Sequence, residues 1–391
     1  MTDKLPPVPP VLILGDHFGY PGGVMHGVTT YYLHVIPALL DSGLDVHACF
    51  LREPHPAAAP LRAKGIEPQF LSAGKWNPLV AFKVAAIIRK HRCQIVHACG
   101  MKAGIIARMA ARMADAKAIV HVHDLLYPSP AVGWMHRMAA RPSDFGIGVS
   151  QAVRKVVIEG YRVVPEHARV ILNGIPLEHV RKVPPTARSH MRATLGIPEQ
   201  AGVMAMIARM HPIKGHRSML RIMSRIVAEK PDSVLLLAGD GPERAACEAL
   251  TDELGLRKNV QFLGLRKDVP ELLAASDIAV IPSDSEGLPT VAIEASAAAR
   301  TTVGFDAGGL RDIITDGVSG RLIAPGDEAG FAAAIVDLFS DRDKLLEYGQ
   351  RALASSDRFT VESHIRELVK CYREAIETSL SGAALPASSA G

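Results

Sequence analysis

The sequence predicts an α/β protein built from two successive parallel-sheet domains, and three observations carry that expectation. Short apolar runs alternate with helically spaced segments of roughly ten to fifteen residues, the pattern of a parallel sheet covered on both faces. The alternation stops at a proline-rich stretch, Val183-Pro184-Pro185-Thr186, and then starts again. The 391 residues, 48% hydrophobic and 21% charged, are enough to fill two ordinary cores at roughly 100–200 residues per domain.

The elements follow in order. Val11–Gly15 is an apolar run ending in a glycine-rich turn. Val28–Ser42 repeats apolar residues at helical spacing through Tyr32, Val35, Ile36 and Leu39 and is closed by Gly43. Asp45–Leu51 is the next strand, Leu79–Arg92 is helical, Gln94–Ala98 is extended, Ala103–Ala114 is helical and Ala118–Val122 is extended. Phe145–Val149 forms another strand, Ser150 caps a helix that starts at Gln151, and Val170–Leu172 closes this half. Residues 182–189 read as a linker. Beyond it, Val203–Ile207, Ser233–Ala238, Val260–Leu263, Ile278–Ile281, Thr301–Phe305 and Gly320–Ile323 are strands with helices between them. The expected organisation is therefore two Rossmann-like domains, 1–185 and 186–358, and a last amphipathic helix over 359–378. A Ser-, Ala- and Gly-rich tail, 379–391, is expected to be disordered.

Composition narrows the classes. The cysteines, Cys49, Cys93, Cys99, Cys247 and Cys371, are odd in number and form no C-x-x-C pair, which disfavours a disulfide framework or zinc ribbon and points to a reducing compartment. Val11–Leu14 is too short for a signal-peptide core, and no run approaches the ~18 apolar residues of a membrane span. A cytoplasmic location is expected. Residues 1–185 hold 21 Lys and Arg against 12 Asp and Glu, while the rest hold 23 against 28. A basic first half facing an acidic second half points to an anionic partner, although a solvated basic surface explains it equally well. Few aromatics and no recognisable RNA or DNA motif argue against a nucleic-acid binder, and no nucleic acid is expected as a partner.

Five segments carry chemistry. Gly22-Gly23-Val24 follows the first strand and would let amides approach a phosphate; a plain tight turn accounts for it equally. His121-Val122-His123-Asp124 delivers His123 at a strand end. A metal pair would need a third ligand that is not evident, and a core histidine stands as an alternative. Arg209, with Lys214-Gly215 close behind, puts two cations and a glycine after a strand, which suits a diphosphate or, more simply, a charged surface. Leu235–Pro242 is a buried strand ending in a tight Gly239-Asp240-Gly241 turn. In the fifth, Ile278–Ile281 runs into Pro282-Ser283-Asp284-Ser285-Glu286-Gly287-Leu288-Pro289-Thr290, and a helix carrying Glu294 follows. A carboxylate in the first turns of that helix suits a ribose diol, and one on the loop suits sugar hydroxyls, beside helix-start amides that favour phosphate.

The spacing Glu286-x7-Glu294, together with Arg209 and Lys214, resembles the large family of retaining glycosyltransferases that includes sucrose synthases, glycogen synthases and bacterial mannosyltransferases. The resemblance covers nearly the whole chain and is densest from Met204 to Asp327. It implies the fold called GT-B, two Rossmann-like domains facing an interdomain cleft, and transfer from a nucleotide-diphosphate sugar without a metal or other cofactor. Arg209 and Lys214 are similar to the family's diphosphate-binding cations, Glu294 to its ribose carboxylate, and Glu286 to its donor-sugar carboxylate, with Gly287 and Leu288 offering amides. Gly23 resembles the first-loop glycine over the reaction centre, and His123 the histidine that bonds the transferred sugar. Asn173-Gly174-Ile175 resembles the hinge, with Pro176 in place of the usual Asp. Gly308-Gly309-Leu310-Arg311-Asp312 resembles a Gly-Gly-x-x-Glu segment, with Asp for Glu. The final helix resembles one that crosses back to the first domain.

The resemblance leaves the acceptor open among sugars, lipid-linked acceptors and small molecules, in polysaccharide, glycolipid or cell-envelope synthesis. Trp134-Met135-His136-Arg137-Met138-Ala139-Ala140-Arg141 mixes apolar and basic residues and fits either a helix covering the sheet or a peripheral contact with an anionic membrane. A nucleotide-sugar 2-epimerase or a non-catalytic nucleotide-sugar-binding protein of the same fold is the alternative. A phosphorylase would need a pyridoxal-phosphate lysine, which nothing marks.

Overall fold

A computed structural model describes residues 8–19, 27–74, 77 and 79–382. Gly22, Gly23 and Val24 lie outside the described residues, as do 383–391 of the tail. The chain divides into two compact units, Met1–Ile175 with Phe359–Gly391, and Pro176–Arg358.

In the first unit the elements run β1 (Val11–Gly15), α1 (Gly27–Asp41), β2 (Val46–Phe50), α2 (Ala59–Ala63), β3 (Gln69–Phe70), α3 (Val80–Lys90), β4 (Ile95–Cys99), α4 (Met101–Ala114), β5 (Lys117–Val122), α5 (Pro130–Ala139), β6 (Phe145–Gly148), α6 (Gln151–Glu159) and β7 (Ala168–Val170). The sheet formed by the described residues is parallel, in the order β3-β2-β1-β4-β5-β6-β7. Strands β1, β4 and β6 are buried along their whole length, as residues with helices on both faces must be. Ser150 caps α6, its Oγ accepting from Val153 N at 3.2 Å.

The second unit runs α7 (Glu178–Arg181), α8 (Ala187–Thr194), β8 (Val203–Ile207), α9 (His216–Glu229), β9 (Val234–Ala238), α10 (Arg244–Glu253), β10 (Val260–Gly264), α11 (Val269–Ala275), β11 (Ile278–Ile281), α12 (Thr290–Ala297), β12 (Thr301–Phe305), β13 (Gly320–Ile323), α13 (Glu328–Ser340) and α14 (Arg342–Ser355). Its sheet is parallel, in the order β10-β9-β8-β11-β12-β13. In both sheets the strand order reverses direction once, between β1 and β4 and between β8 and β11. Such reversals open a crevice beyond the strands' carboxyl ends, where ligands of open α/β sheets bind.

The last helix, α15 (Val361–Gly382), belongs to the first unit. Its Leu368, Cys371, Tyr372 and Ala375 join the core made by β1 and α1. It runs four residues past the expected end at Thr378, because no helix-stopping residue occurs before Gly382.

Two expectations about the boundary need correction. The first segment of the first unit ends at Ile175, ten residues before the expected boundary at 185. The reason is a local pairing: Ile175 N donates to Phe359 O at 2.9 Å, and Ile175 bridges Thr360. Gly174 permits it, since a Cβ there would lie 2.8 Å from Val361 Cα and 2.9 Å from Thr360 O. The expected linker over 182–189 is shorter than its bounds: 182–186 form neither helix nor strand, while 187–189 already belong to α8, which begins at Ala187. Proline ends one helix there and admits the next.

Candidate active site

The crevice between β8 and β11 is built from glycine. The two strands are parallel neighbours, with Ile278 beside Met204, so their following loops emerge together. The β8 loop turns back at Pro212–Lys214 and enters α9 through Gly215. Gly215 has φ +75°, and a Cβ would lie 1.9 Å from Pro282 O, so only glycine lets the two loops touch backbone to backbone. Asp284 N donates to Ile213 O at 3.0 Å and locks the pair.

That contact brings two of the expected residues together. Lys214 Nζ donates to Glu286 Oε1 at 2.8 Å, and the Glu286 side chain is only 11% exposed. Glu286 is held from its other side too, its carbonyl accepting from Gly309 N at 2.8 Å. Gly308-Gly309, at φ +61° for the first, therefore shapes the Glu286 loop. Leu288 buries its side chain and anchors the loop's end, while Gly287 is half-buried. No side chain caps α12 or α9, whose N-cap residues are Pro289 and Gly215, so two helix starts keep their positive ends uncovered by caps.

Arg209 is exposed on the loop after β8. The Gly239-Asp240-Gly241 turn sets this loop. Ala208 N donates to Ala238 O at 3.0 Å, and Met210 N to Asp240 O at 2.9 Å. A Cβ on Gly239 or Gly241 would lie 2.0 Å from Ala208 O or 2.3 Å from Met210 O. The turn thus fixes the backbone that carries Arg209.

Glu294 lies in the second turn of α12, mostly buried, and burial pushes its carboxyl up to about 7. Its nearest charged partner among the described residues is His179 on α7, with Nε2 at 3.8 Å from Oε1. His179 escaped the sequence reading because α7 is a single short turn without periodicity. A carboxyl so placed is poised to bind a pair of hydroxyls. It also has a cost that is measurable. Its folded value exceeds the unfolded one, so the native state holds the proton more tightly, and stability falls as pH rises from about 4.5 to about 7. Glu294→Gln is expected to match wild type in unfolding free energy at pH 4 and to exceed it at pH 8, by up to about 3 kcal/mol. A parallel pH dependence in both proteins would show that Glu294 is not the titrating group.

His123 belongs to the first unit, just past β5. Its ring stacks on His121 at 4.2 Å and meets the edge of Tyr31 at 4.7 Å. Behind it lies a buried chain of rings. His364 Nδ1 bonds Leu172 O at 2.7 Å and its Nε2 the Tyr31 hydroxyl at 3.3 Å. Tyr31 reaches His121 Nδ1 at 3.3 Å, which meets His97 Nε2 at 3.0 Å, and His97 Nδ1 bonds the Tyr372 hydroxyl at 2.6 Å. Desolvation pushes His97 down to about 3 and His364 to about 4, so the chain is neutral. Sequence missed Tyr31, His97, His364 and Tyr372; the available signal was a histidine inside the apolar strand Ile95–Cys99.

Strand register gathers a trio that leaves out His123. Cys99 pairs with His121 across β4 and β5, and His97, Cys99 and His121 bring ligand atoms within 4.8 Å. They fit an ion poorly: the two imidazoles already bond each other, burial holds the Cys99 thiol protonated, and the trio itself contains no carboxylate to offset a divalent charge.

Comparison with known proteins completes the picture. Residues 187–354 match the family model of glycosyl transferases group 1, and residues 25–179 that of glycosyltransferase family 4. A D-inositol 3-phosphate glycosyltransferase from Corynebacterium kroppenstedtii is 33% identical over 236 residues, 58% of this chain and 52% of that protein. The chain thus spans about half the length of that relative. The same enzyme from Thermobispora bispora is 27% identical, with 90% of each chain covered. Among solved structures, Anabaena Alr3699/HepE in complex with UDP superposes with a TM-score of 0.79 at 23% identity, over 95% of this chain and 99% of that one.

Proposed function

Because the chain belongs to the GT-B glycosyltransferase family, we propose that it moves a sugar from a nucleoside-diphosphate sugar to an acceptor hydroxyl, with retention of anomeric configuration. The observation that carries this proposal is the crevice between β8 and β11, where Lys214 pairs with Glu286 beside two uncapped helix starts and the mostly buried Glu294 sits in the second turn of α12. Glu294 takes the ribose hydroxyls. Lys214 and Arg209 hold the diphosphate, and Glu286 with the Gly287 and Leu288 amides holds the transferred sugar.

The bond from the anomeric carbon to the phosphate oxygen breaks, and its electron pair leaves with the nucleoside diphosphate. Lys214, Arg209 and the helix-start amides stabilise that charge as it develops. The acceptor oxygen attacks on the face being vacated, and its proton passes to a phosphate oxygen of the leaving group. Nothing in this sequence of events needs a metal.

The test is turnover with UDP-, GDP- and ADP-sugars in excess EDTA, followed by proton NMR of the product's anomeric signal. Expected are full activity in EDTA and an unchanged anomer. Loss of activity restored by Mn²⁺ or Mg²⁺ would overturn the metal-free mechanism, and an inverted anomer would overturn retention. An epimerase would consume donor without acceptor, and a binding protein would not turn over. Peripheral contact with an anionic membrane belongs to the same proposal. Its support is the basic first half and an α5 that exposes Trp134, Arg137 and Met138 while burying His136. No described helix is long and apolar enough to cross a membrane.

A further inference from the structure

The carboxyl of Glu294 is the only titratable group on α12. Strands β11 and β12, which pack on α12, carry no titratable side chain. Helix α14 packs there too and brings Arg342, Asp343, Lys344, Glu347, Tyr348 and Arg351, of which Lys344 pairs with Asp337 and Arg351 with Glu347. On α7, also in contact with α12, Glu178 lies 3.3 Å from Lys182 and Arg181 2.6 Å from Asp357. Glu286, on the loop that leads into α12, is paired with Lys214. The ionisable group that reaches Glu294 among the described residues is His179 of α7, with Nε2 3.8 Å from Oε1.

The two groups are unequally hydrated: the imidazole is 49% exposed and the carboxyl side chain 21%. A charge therefore costs less on the imidazole than on the carboxyl. In the free protein burial holds the carboxyl up at about 7, so near neutral pH it carries a proton for much of the time. In that form one oxygen is a donor, and only an ionised carboxylate accepts with both oxygens from the two hydroxyls of a ribose. Binding a ribose through both hydroxyls must expel that proton.

We propose that His179 takes up the proton that Glu294 gives up when the ribose of a nucleotide binds. The proton leaves the Glu294 carboxyl and ends on the imidazole, so a neutral pair becomes carboxylate and imidazolium with no net change in protons. At 3.8 Å the two are too far apart for a direct hydrogen bond, but the half-exposed imidazole exchanges protons with solvent and no direct jump is needed. The imidazolium then stabilises the carboxylate beside it. His179 is thus a positioning residue that acts through Glu294. Naming the ligand a nucleotide rests on the glycosyltransferase reading.

The test is calorimetric titration of the full chain and of His179→Gln with UDP, GDP and ADP, in two buffers of different ionisation enthalpy, which counts the protons released per nucleotide bound. His179 is half exposed, so the substitution should leave the fold in place, which a thermal melt checks. At pH 7 the variant should release about half a proton more than wild type, because a carboxyl at about 7 is half protonated there and nothing takes its proton up. From pH 8 to pH 6 the variant should lose about fivefold more affinity than wild type. The terminal phosphate of the nucleotide also titrates, at about pH 6, but equally against both proteins, so the difference between them is what is read. His179→Lys, whose ammonium is charged throughout, should hold Glu294 ionised beforehand and release no more protons than wild type. A surface histidine with no part in binding would leave proton release and pH dependence the same in all three proteins, and that result overturns the inference. Binding of none of the three nucleotides sinks the nucleotide-site reading and this inference with it, whereas binding with equal proton release sinks this inference alone.

Discussion

Glu294→Ala is expected to lower kcat/KM for sugar transfer by about two to three orders of magnitude while leaving the chain folded. The loss follows from two hydrogen bonds between a carboxylate and ribose hydroxyls, each contributing roughly 1.5–3 kcal/mol, with imperfect additivity. The fold should survive because the carboxyl is held in the native state against its own desolvation, as its rise to about 7 records. A purely structural residue would behave in the opposite way: removing it would lower the melting temperature and spare the activity of the protein that remains folded. Steady-state kinetics with the best donor and a thermal melt at pH 8 separate the two. Near-normal kcat/KM with a depressed melting temperature would remove Glu294 from the site.

Lys214→Ala is expected to cost a comparable factor for a different reason. In the proposed mechanism Lys214 meets charge developing on the leaving diphosphate, and loss of one such preorganised group typically costs about 10²–10³ in kcat. The substitution also strands Glu286, whose side chain is mostly buried 2.8 Å from the ammonium. That second effect should appear as a loss of about 1–3 kcal/mol of stability, less than for a fully buried pair because the lysine side chain is 27% exposed. The double variant Lys214→Ala, Glu286→Gln separates the effects: it should regain stability and remain inactive. Recovery of activity in the double variant would mean that Lys214 serves only to neutralise Glu286.

Strand and helix positions were largely legible from sequence, because buried parallel strands write themselves as short apolar runs. Val203–Ile207, Ile278–Ile281, Thr301–Phe305 and Gly320–Ile323 have the bounds expected of them. The β3 strand, only Gln69–Phe70, and the short α7 were not legible, because two to four residues carry no period. The unit boundary was misplaced for a similar reason. Prolines announce breaks in helices, whereas the break between units is set by Ile175 pairing with Phe359, a contact 184 positions away in sequence.

The candidate site divides along the same line. Loop glycines and charged residues could be picked out, so Lys214, Glu286 and Glu294 were named from their spacing. What sequence could not convey was contact: that Gly215 rests on Pro282, that Gly239 and Gly241 shape the Arg209 loop, or that His179 faces Glu294. The ring chain behind His123 gathers residues 31, 97, 121, 364 and 372, which meet only once the sheet register and α15 are in place.

The most direct measurement is calorimetric titration of wild type, Glu294→Ala and Lys214→Ala with UDP, GDP and ADP. One of the three nucleotides should bind wild type saturably, with one site per chain, and should bind each variant at least about tenfold more weakly. Absence of binding by all three, or equal binding by wild type and both variants, would contradict a nucleoside-diphosphate site in the crevice between β8 and β11.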